Sequence, residues 1–354
     1  PRGCPVAVSV FKGNTGDPTT LMPQVEKLQK TFTIDQLVLV GDRGMISQKQ
    51  INALKQREGL DWITALRTGA LRKLVDGGHL QLGLFDQRNL FEVTHPDFPG
   101  ERLVACRNPQ LALLRAHKRQ SLLDATSREL EHVRGMIARG KLKGKAAIGV
   151  RIGKVVDKYK MSKHVILDIR DDGFDFHLDD AKVAAEAALD GLYVIRTSVP
   201  AQRLAADDVV RSYKMLSQVE RAFRSLKTID LDVRPIRHRL EDRVKAHIFL
   251  CMLAHYVVWH MMESWRALLF CDEDQQAKTT RDPVAPATRS TAALAKVHSK
   301  VLDDGTPVHS FQTLLKDLSS IVSNTCRRPG ASTAGEPTFE VVTTPHATQQ
   351  RAYD

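Results

Sequence analysis

Residues 207–227 (DDVVRSYKMLSQVERAFRSLK) contain no Gly or Pro, and two acids open the run as N-cap and first-turn residues should, so the segment is predicted to be one helix. At about 100° per residue, Tyr213, Ser217, Glu220, Arg224 and Lys227 share one narrow face. Leu216, Val219, Phe223 and Leu226 form the adjoining face, which is predicted to be the buried one. A carboxylate at the rim of a core, flanked by a phenol and two cations, suits an anionic ligand. A solvated helix more often alternates its charges to make i,i+4 pairs. The alternative is an amphipathic helix with ordinary surface charges.

A second acid stands where ligands collect in open α/β sheets. Residues 37–40 (LVLV) read as a buried strand, and the run stops at Gly41-Asp42-Arg43-Gly44. Asp42 thus lies just past the C-terminal end of a central strand. The flanking glycines allow a sharp turn and leave room beside the acid. Ser47 is placed to cap a helix over 48–57, with Ile51 and Leu54 facing inward, and 62–66 (WITAL) reads as the next strand. The alternative for Asp42 is a structural one, capping the turn that follows.

The remaining elements must position these acids. Residues 6–11 (VAVSVF) read as a strand, and 21–31 as a helix with Pro23 in its first turn. Short β-type runs are expected at 79–85, 89–94 and 102–106, then a long polar helix over 110–139. A basic stretch follows, carrying Arg139, Lys141, Lys143, Lys145, Arg151, Lys154, Lys158, Lys160 and Lys163. It reads as a solvated face or loop tip, or as a contact for a DNA backbone, which its length and scarcity of acids favour. GKLKGK at 140–145 is not a phosphate-binding P-loop, because the spacing fails and no Ser or Thr follows the Lys. Residues 163–178 read as a hairpin around Asp171-Asp172-Gly173, 181–189 as a short helix and 191–198 as a strand returning to the core.

Beyond the acidic helix, 233–243 (VRPIRHRLEDR) is a basic loop opening a further helix. Arg234, Arg237, His238 and Arg239 are its candidates for phosphate contact. His247, Cys251 and His255 stand at i, i+4 and i+8, a spacing that suits zinc, but their neighbours are core-forming, and 246–262 reads as a buried helix. That run is short for a membrane span and holds three histidines, so no membrane partner is expected. Residues 273–289 read as a linker, 311–322 as an amphipathic helix, and the chain from Arg327 onward as poorly ordered.

At 354 residues the chain has room for about two domains. Its net charge of +11 suits a polyanionic partner, nucleic acid before membrane. Five scattered cysteines with no C-x-x-C pair read as free thiols of a reducing compartment, and no signal peptide is recognised.

The spacing of Tyr213, Glu220 and Lys227 resembles the Tyr-x2-Arg-x3-Glu-x6-Lys signature of DDE transposases encoded by bacterial insertion sequences. The resemblance is to the branch with a β-rich insertion ahead of the catalytic glutamate. VGDRGMIS, around Asp42, resembles that branch's second-aspartate motif, and AAEAALDGLYVIRT the segment just before its glutamate helix. Leu216 stands where the signature has Arg, and Arg224, one turn beyond Glu220, is a candidate to supply that charge.

The resemblance implies an α/β, RNase H-like core (residues 1–68 and 191–270), interrupted by a β-rich/α insertion (69–190) and followed by a C-terminal region (271–354). It implies two divalent ions, Mg2+ or Mn2+, held by Asp42, Glu220 and a third acid expected upstream of Pro1. Tyr213, Lys227 and Arg224, with Arg234, Arg237 and His238, would hold DNA phosphates. The partners implied are double-stranded transposon-end and target DNA and a second copy of the chain, in the bacterial cytoplasm at the nucleoid. Asp17 reads as structural and no other acid before Asp42 sits on a strand, except Asp35 at the very start of one, so the chain is expected to be an N-terminally truncated fragment that cleaves DNA poorly by itself. A DNA-binding remnant without catalysis and a hydrolytic nuclease of the same fold are the alternatives.

Overall fold

The computed structural model describes residues 3–86, 88–229, 231, 233–274, 276, 280–328 and 338–354. The chain divides into two compact units. The first is Asn14–Leu216 with Asp282–Pro286; the second is Pro1–Gly13, Ser217–Arg281 and Ala287–Asp354.

The first unit opens with α1 (Asp17–Phe32), which begins earlier than predicted, at Asp17-Pro18, and so encloses Pro23 beyond its first turn. An acid and a proline suit a first turn, whose N–H groups have no partner in the helix. β1 (Leu37–Val40), α2 (Gln48–Leu54) and β2 (Leu60–Ala65) follow close to expectation. β1 and β2 pair in parallel, Leu37 opposite Leu60 and Val40 opposite Ile63. Parallel neighbours need a crossover, which α2 supplies by burying Ile51 and Leu54.

Next come α3 (Thr68–Asp76), β3 (Leu90–Val93), β4 (Arg102–Arg107), α4 (Pro109–Ala138) and α5 (Lys145–Tyr159). The strand expected over 79–85 is instead a loop and a 3-10 turn (Leu82–Asp86). Its Leu80 and Phe85 both bury with Leu71 and Leu74 of α3, so two apolar anchors override a weak alternation. β5 (Val165–Ile169) and β6 (Phe174–Leu178) form the predicted hairpin, and α6 (Asp180–Ala187) leads to β7 (Leu192–Thr197). At the entrance to β7, Gly191 has φ +75°, and a Cβ there would lie 2.4 Å from the Asn108 carbonyl oxygen, so only glycine fits.

The central sheet has the order β1-β2-β7-β4-β3. Only β1 and β2 run parallel; β2–β7, β7–β4 and β4–β3 are antiparallel. The α/β class is as expected, and strands from both sides of position 68 share this one sheet. α7 (Ala206–Lys214) buries Val209 and Val210 in the cluster of Ile63, Val104 and Ile195. Part of the stretch expected to be a linker joins that cluster: Val284 is fully buried, and its carbonyl accepts from Asn108 Nδ2 (2.9 Å) and Lys214 Nζ (3.2 Å).

α8 (Leu216–Arg224), whose residues from Ser217 on belong to the second unit, runs into a π-helical turn (Ser225–Ile229), and α9 (Glu241–Ser264) follows. α10 (Thr291–Ser299), α11 (Phe311–Leu318), the β8 (Ser323–Cys326)–β9 (Phe339–Val342) hairpin and α12 (Ala347–Tyr353) complete it. Its core joins Leu268, Leu269, Leu314 and Ala352, and Trp265 Nε1 donates to the Ala352 carbonyl at 2.8 Å. The segment expected to be disordered from Arg327 therefore contains β9 and a docked helix.

Residues 6–11 form no strand, and Val6 is 71% exposed. The single helix over 207–227 is broken at Met215 and ends in the π turn, and its predicted buried face is open, with Val219 47% and Phe223 55% exposed. The buried helix expected at 246–262 is α9, in which Phe249, Leu250, Leu253, Tyr256 and Val257 are exposed and only His255 is buried. The core of this unit gathers at Leu268, Leu314 and Ala352, away from these apolar faces in sequence. Among the described residues α9 is the one helix long and apolar enough, by length and composition, to cross a membrane.

Candidate active site

Asp42 is the second residue after β1, which ends at Val40, and is exposed at the sheet's end. Its Oδ1 accepts the backbone N–H of Gly44 (2.9 Å) and Met45 (2.7 Å), and its own carbonyl accepts from Ile46 N at 3.0 Å. The carboxylate is thus oriented by the chain that follows it, while among the described residues no hydrogen bond reaches Oδ2. The bonds to Oδ1 are those of the capping alternative. The two glycines supply space: neither has a positive φ. A Cβ on Gly41 would lie 2.8 Å from Ile46 Cγ1, and one on Gly44 3.2 Å from Asp42 Oδ1. Ser47 does sit at the N-cap of α2, but its hydroxyl donates to the Gln50 side chain instead of capping.

Of the other acids of this unit ahead of Asp42, Glu26 of α1 pairs with Arg57 at 2.7 Å. Asp17 is the first residue of α1, and Asp35 precedes β1; both are exposed. Tyr213, in α7, is half-buried and packs against the Val209–Val210 cluster.

The remaining predicted site residues lie in the second unit. Glu220, in α8, is exposed, and among the described residues its carboxylate takes part in no ion pair or hydrogen bond. Arg224 ends α8 and is exposed. Lys227 lies in the π turn, which breaks the 100° spacing from Glu220, and its Nζ sits 5.4 Å from the Phe223 ring centroid. Arg234, Arg237, His238 and Arg239 are all exposed on the segment entering α9, and His238 packs its ring 5.5 Å from that of His247.

The donor chemistry of Asp42 and Glu220 fits a hard divalent cation, since both present carboxylate oxygens. Within neither unit do the described residues gather three His, Cys, Asp or Glu side chains around a metal position. The zinc alternative on α9 fails on the same ground: Cys251 Sγ is 4.0 Å from His247 Nε2, but His255 Nδ1 is directed at Ser225 Oγ, 3.4 Å away. All five cysteines are free, and burial pushes the Cys106 thiol up to about 12, so it is an inert core group.

Sequence reasoning missed the ion pair that ties β7 to the start of β4. Arg196 Nε and Nη2 donate to Glu101 at 2.6 and 2.7 Å, both side chains are buried, and Lys55 Nζ adds a 3.2 Å contact. Glu101 falls in a Pro/Gly-rich loop and Arg196 in an apolar strand, so no spacing rule links them.

The model of the family described as transposase DDE domain matches residues 1–257, and the chain belongs to that family. Its members are transposases, acting by phosphoryl transfer on DNA and generally using divalent metal ions. Among curated proteins no relative matches.

Proposed function

We propose that this chain cleaves DNA strands at the ends of an insertion sequence and joins the freed ends to target DNA, with Asp42 and Glu220 among the carboxylates that hold two ions of Mg2+ or Mn2+. When bound, the ions would neutralise charge on the attacking and leaving oxygens of the phosphodiester. The observation that carries this reading is the state of Asp42. Within a chain of this family, an acid at the end of a strand is held by two backbone N–H groups with its second oxygen open. Among the described residues Glu220 has no partner to displace.

Cleavage forms a bond from phosphorus to a water oxygen and breaks the bond to the 3′-oxygen, which leaves as a hydroxyl. Strand transfer repeats the exchange, with that 3′-hydroxyl attacking a target phosphodiester and a target 3′-oxygen leaving. The chain's own part is to hold DNA in line for both steps. Arg224, Arg234 and Arg237 offer paired N–H donors to phosphate oxygens, Lys227 and His238 offer single donors, and Tyr213 offers its hydroxyl. The reading includes an RNase H-like core over 1–68 and 191–270 with an insertion at 69–190 and a C-terminal region at 271–354. It also includes duplex DNA as partner, a homodimer in the DNA complex, and a place at the bacterial nucleoid.

The test is nicking of a supercoiled plasmid with Mn2+ by the whole chain, Asp42→Asn and Glu220→Gln, alongside Mn2+ binding followed by electron paramagnetic resonance. The parent chain is expected to nick slowly, and both substitutions to weaken Mn2+ binding and abolish that nicking. A labelled duplex with free 3′-hydroxyl ends, added with the plasmid, separates strand transfer from simple hydrolysis. Unchanged nicking in both variants would sink the assignment.

A further inference from the structure

The segment read from sequence as a basic loop or face is a packed helix with its charge turned outward. In α5, Ile148, Ile152, Val155 and Val156 are buried against Leu130 and Val133 of α4 and Val165 and Phe174 of the hairpin. That spacing commits one side of the helix to a core, so the cations must lie on the others. Arg139, Lys141 and Lys143 line the α4–α5 connection, Lys145 opens α5, and Arg151 and Lys154 follow at i and i+3; all six are exposed.

These six carry no ion pair among the described residues. The cations further along are neutralised: Lys158 meets Glu129 at 3.0 Å, Lys160 meets Asp157 at 2.8 Å and Lys163 meets Glu186 at 2.6 Å. Asp171, beside Lys145, accepts that residue's backbone N–H at 3.1 Å through Oδ1 and so serves to hold the start of α5. Unpaired charge is therefore concentrated at one end of the helical pair.

We infer that residues 139–154 form a surface that binds the phosphate backbone of duplex DNA, independent of base sequence. The inference rests on the DNA-acting reading above and adds a second place of contact to it. A duplex strand presents a phosphate about every 3.4 Å along the axis, and cations three or four residues apart on a helix stand about 4.5 to 6 Å apart along it, so such cations can reach neighbouring phosphates. The patch lacks what the rival polyanions need. Val150 is its one large exposed apolar side chain, with no aromatic anchor for a protein partner. A membrane-surface helix would need the apolar face that α5 has already buried.

The experiment measures binding of the full chain to a fluorescent duplex of arbitrary sequence across about 50 to 200 mM salt. The variant is Lys141→Gln/Lys143→Gln/Arg151→Gln/Lys154→Gln. Its control, equal in charge, is Arg72→Gln/Lys73→Gln/Lys300→Gln/Lys316→Gln, at exposed sites elsewhere. Thermal melts establish that both fold. The first variant is expected to flatten the slope of log K against log salt by about 3 to 4, since each lost phosphate contact removes about 0.9, while the control keeps most of its slope. Equal losses in the two variants would reduce the effect to net charge and overturn the inference. So would unchanged DNA binding with lost binding to phosphatidylserine vesicles. If plasmid nicking fails but the slope difference persists, the catalytic reading falls and this one stands; nicking without a slope difference gives the reverse.

Discussion

Asp42 Oδ1 accepts the Met45 backbone N–H at 2.7 Å, so the side chain proposed to bind metal also holds the turn after β1. The two roles separate by substitution. Asparagine keeps an oxygen for the Gly44 and Met45 N–H groups and loses the charge. Asp42→Asn is therefore expected to stay within about 0.5 kcal/mol of the parent in urea unfolding while losing Mn2+ binding. Asp42→Ala loses both acceptor contacts and is expected to cost about 1 kcal/mol or more. Equal stability of the two variants would show that the turn does not depend on this oxygen.

The Glu101–Arg196 pair gives a larger and purely structural effect. Both side chains are almost fully buried, and two of the guanidinium N–H groups face the carboxylate. Glu101→Ala would leave the Arg196 charge buried without its partner, an expected cost of about 3–5 kcal/mol. Glu101→Ala with Arg196→Met should recover much of it, because removing both charges leaves neither unpaired. A double variant no better than the single one in urea unfolding would place the cost elsewhere.

Acid dependence is expected at the C-terminal helix. The hydroxyl and backbone N–H of Thr306, and then the Arg351 guanidinium of α12, hold the Asp304 carboxyl at about 2, below its ordinary 3.8. A carboxyl depressed in the folded state stabilises fully above its unfolded value, and that contribution is lost as pH falls from about 4 towards 2. Carboxyl-detected NMR titration should show the Asp304 midpoint rising in Thr306→Val and, by less, in Arg351→Ala. A midpoint at the ordinary value in the parent protein would remove this contact from the docking of α12.

What the sequence revealed and what it hid divide along physical lines. β1, α2, α4 and the β5–β6 hairpin were legible because local pattern and local partners agree: Ile51 and Leu54 bury one turn apart, and Asn108 caps α4 through Leu111 N. Asp42 was legible because a strand end, two small residues and an acid occur together. The break at Met215 was hidden, since Met has good helix propensity and its backbone stays helical. α5 was hidden because nine basic residues drew attention from the Ile148, Ile152, Val155 stripe beneath them. Val284 was hidden because a single apolar residue in a Pro-flanked run has no periodicity at all. The assignment of α8 and α9 to a core failed for the opposite reason: apolar composition shows what a helix could bury, whereas burial depends on what else is there to cover it.

That difference between composition and burial can be measured with two leucines. Leu130 of α4 is fully buried among Val133, Ile148 and Ile152, whereas Leu250 of α9 is 61% exposed. Hydropathy alone ranks them equal. Leu130→Ala removes buried methyl groups and leaves a cavity in a packed cluster, an expected loss of about 2–5 kcal/mol. Leu250→Ala removes surface already in water and should change stability by about 0.5 kcal/mol or less. Because Leu130 and Leu250 belong to different units, urea unfolding should be followed by hydrogen exchange at amides of α4 and of α9 separately, so that each loss is read where it occurs. A cost at Leu250 comparable to that at Leu130 would mean that α9 is covered in solution, and that the apolar face of this helix is a packing surface after all.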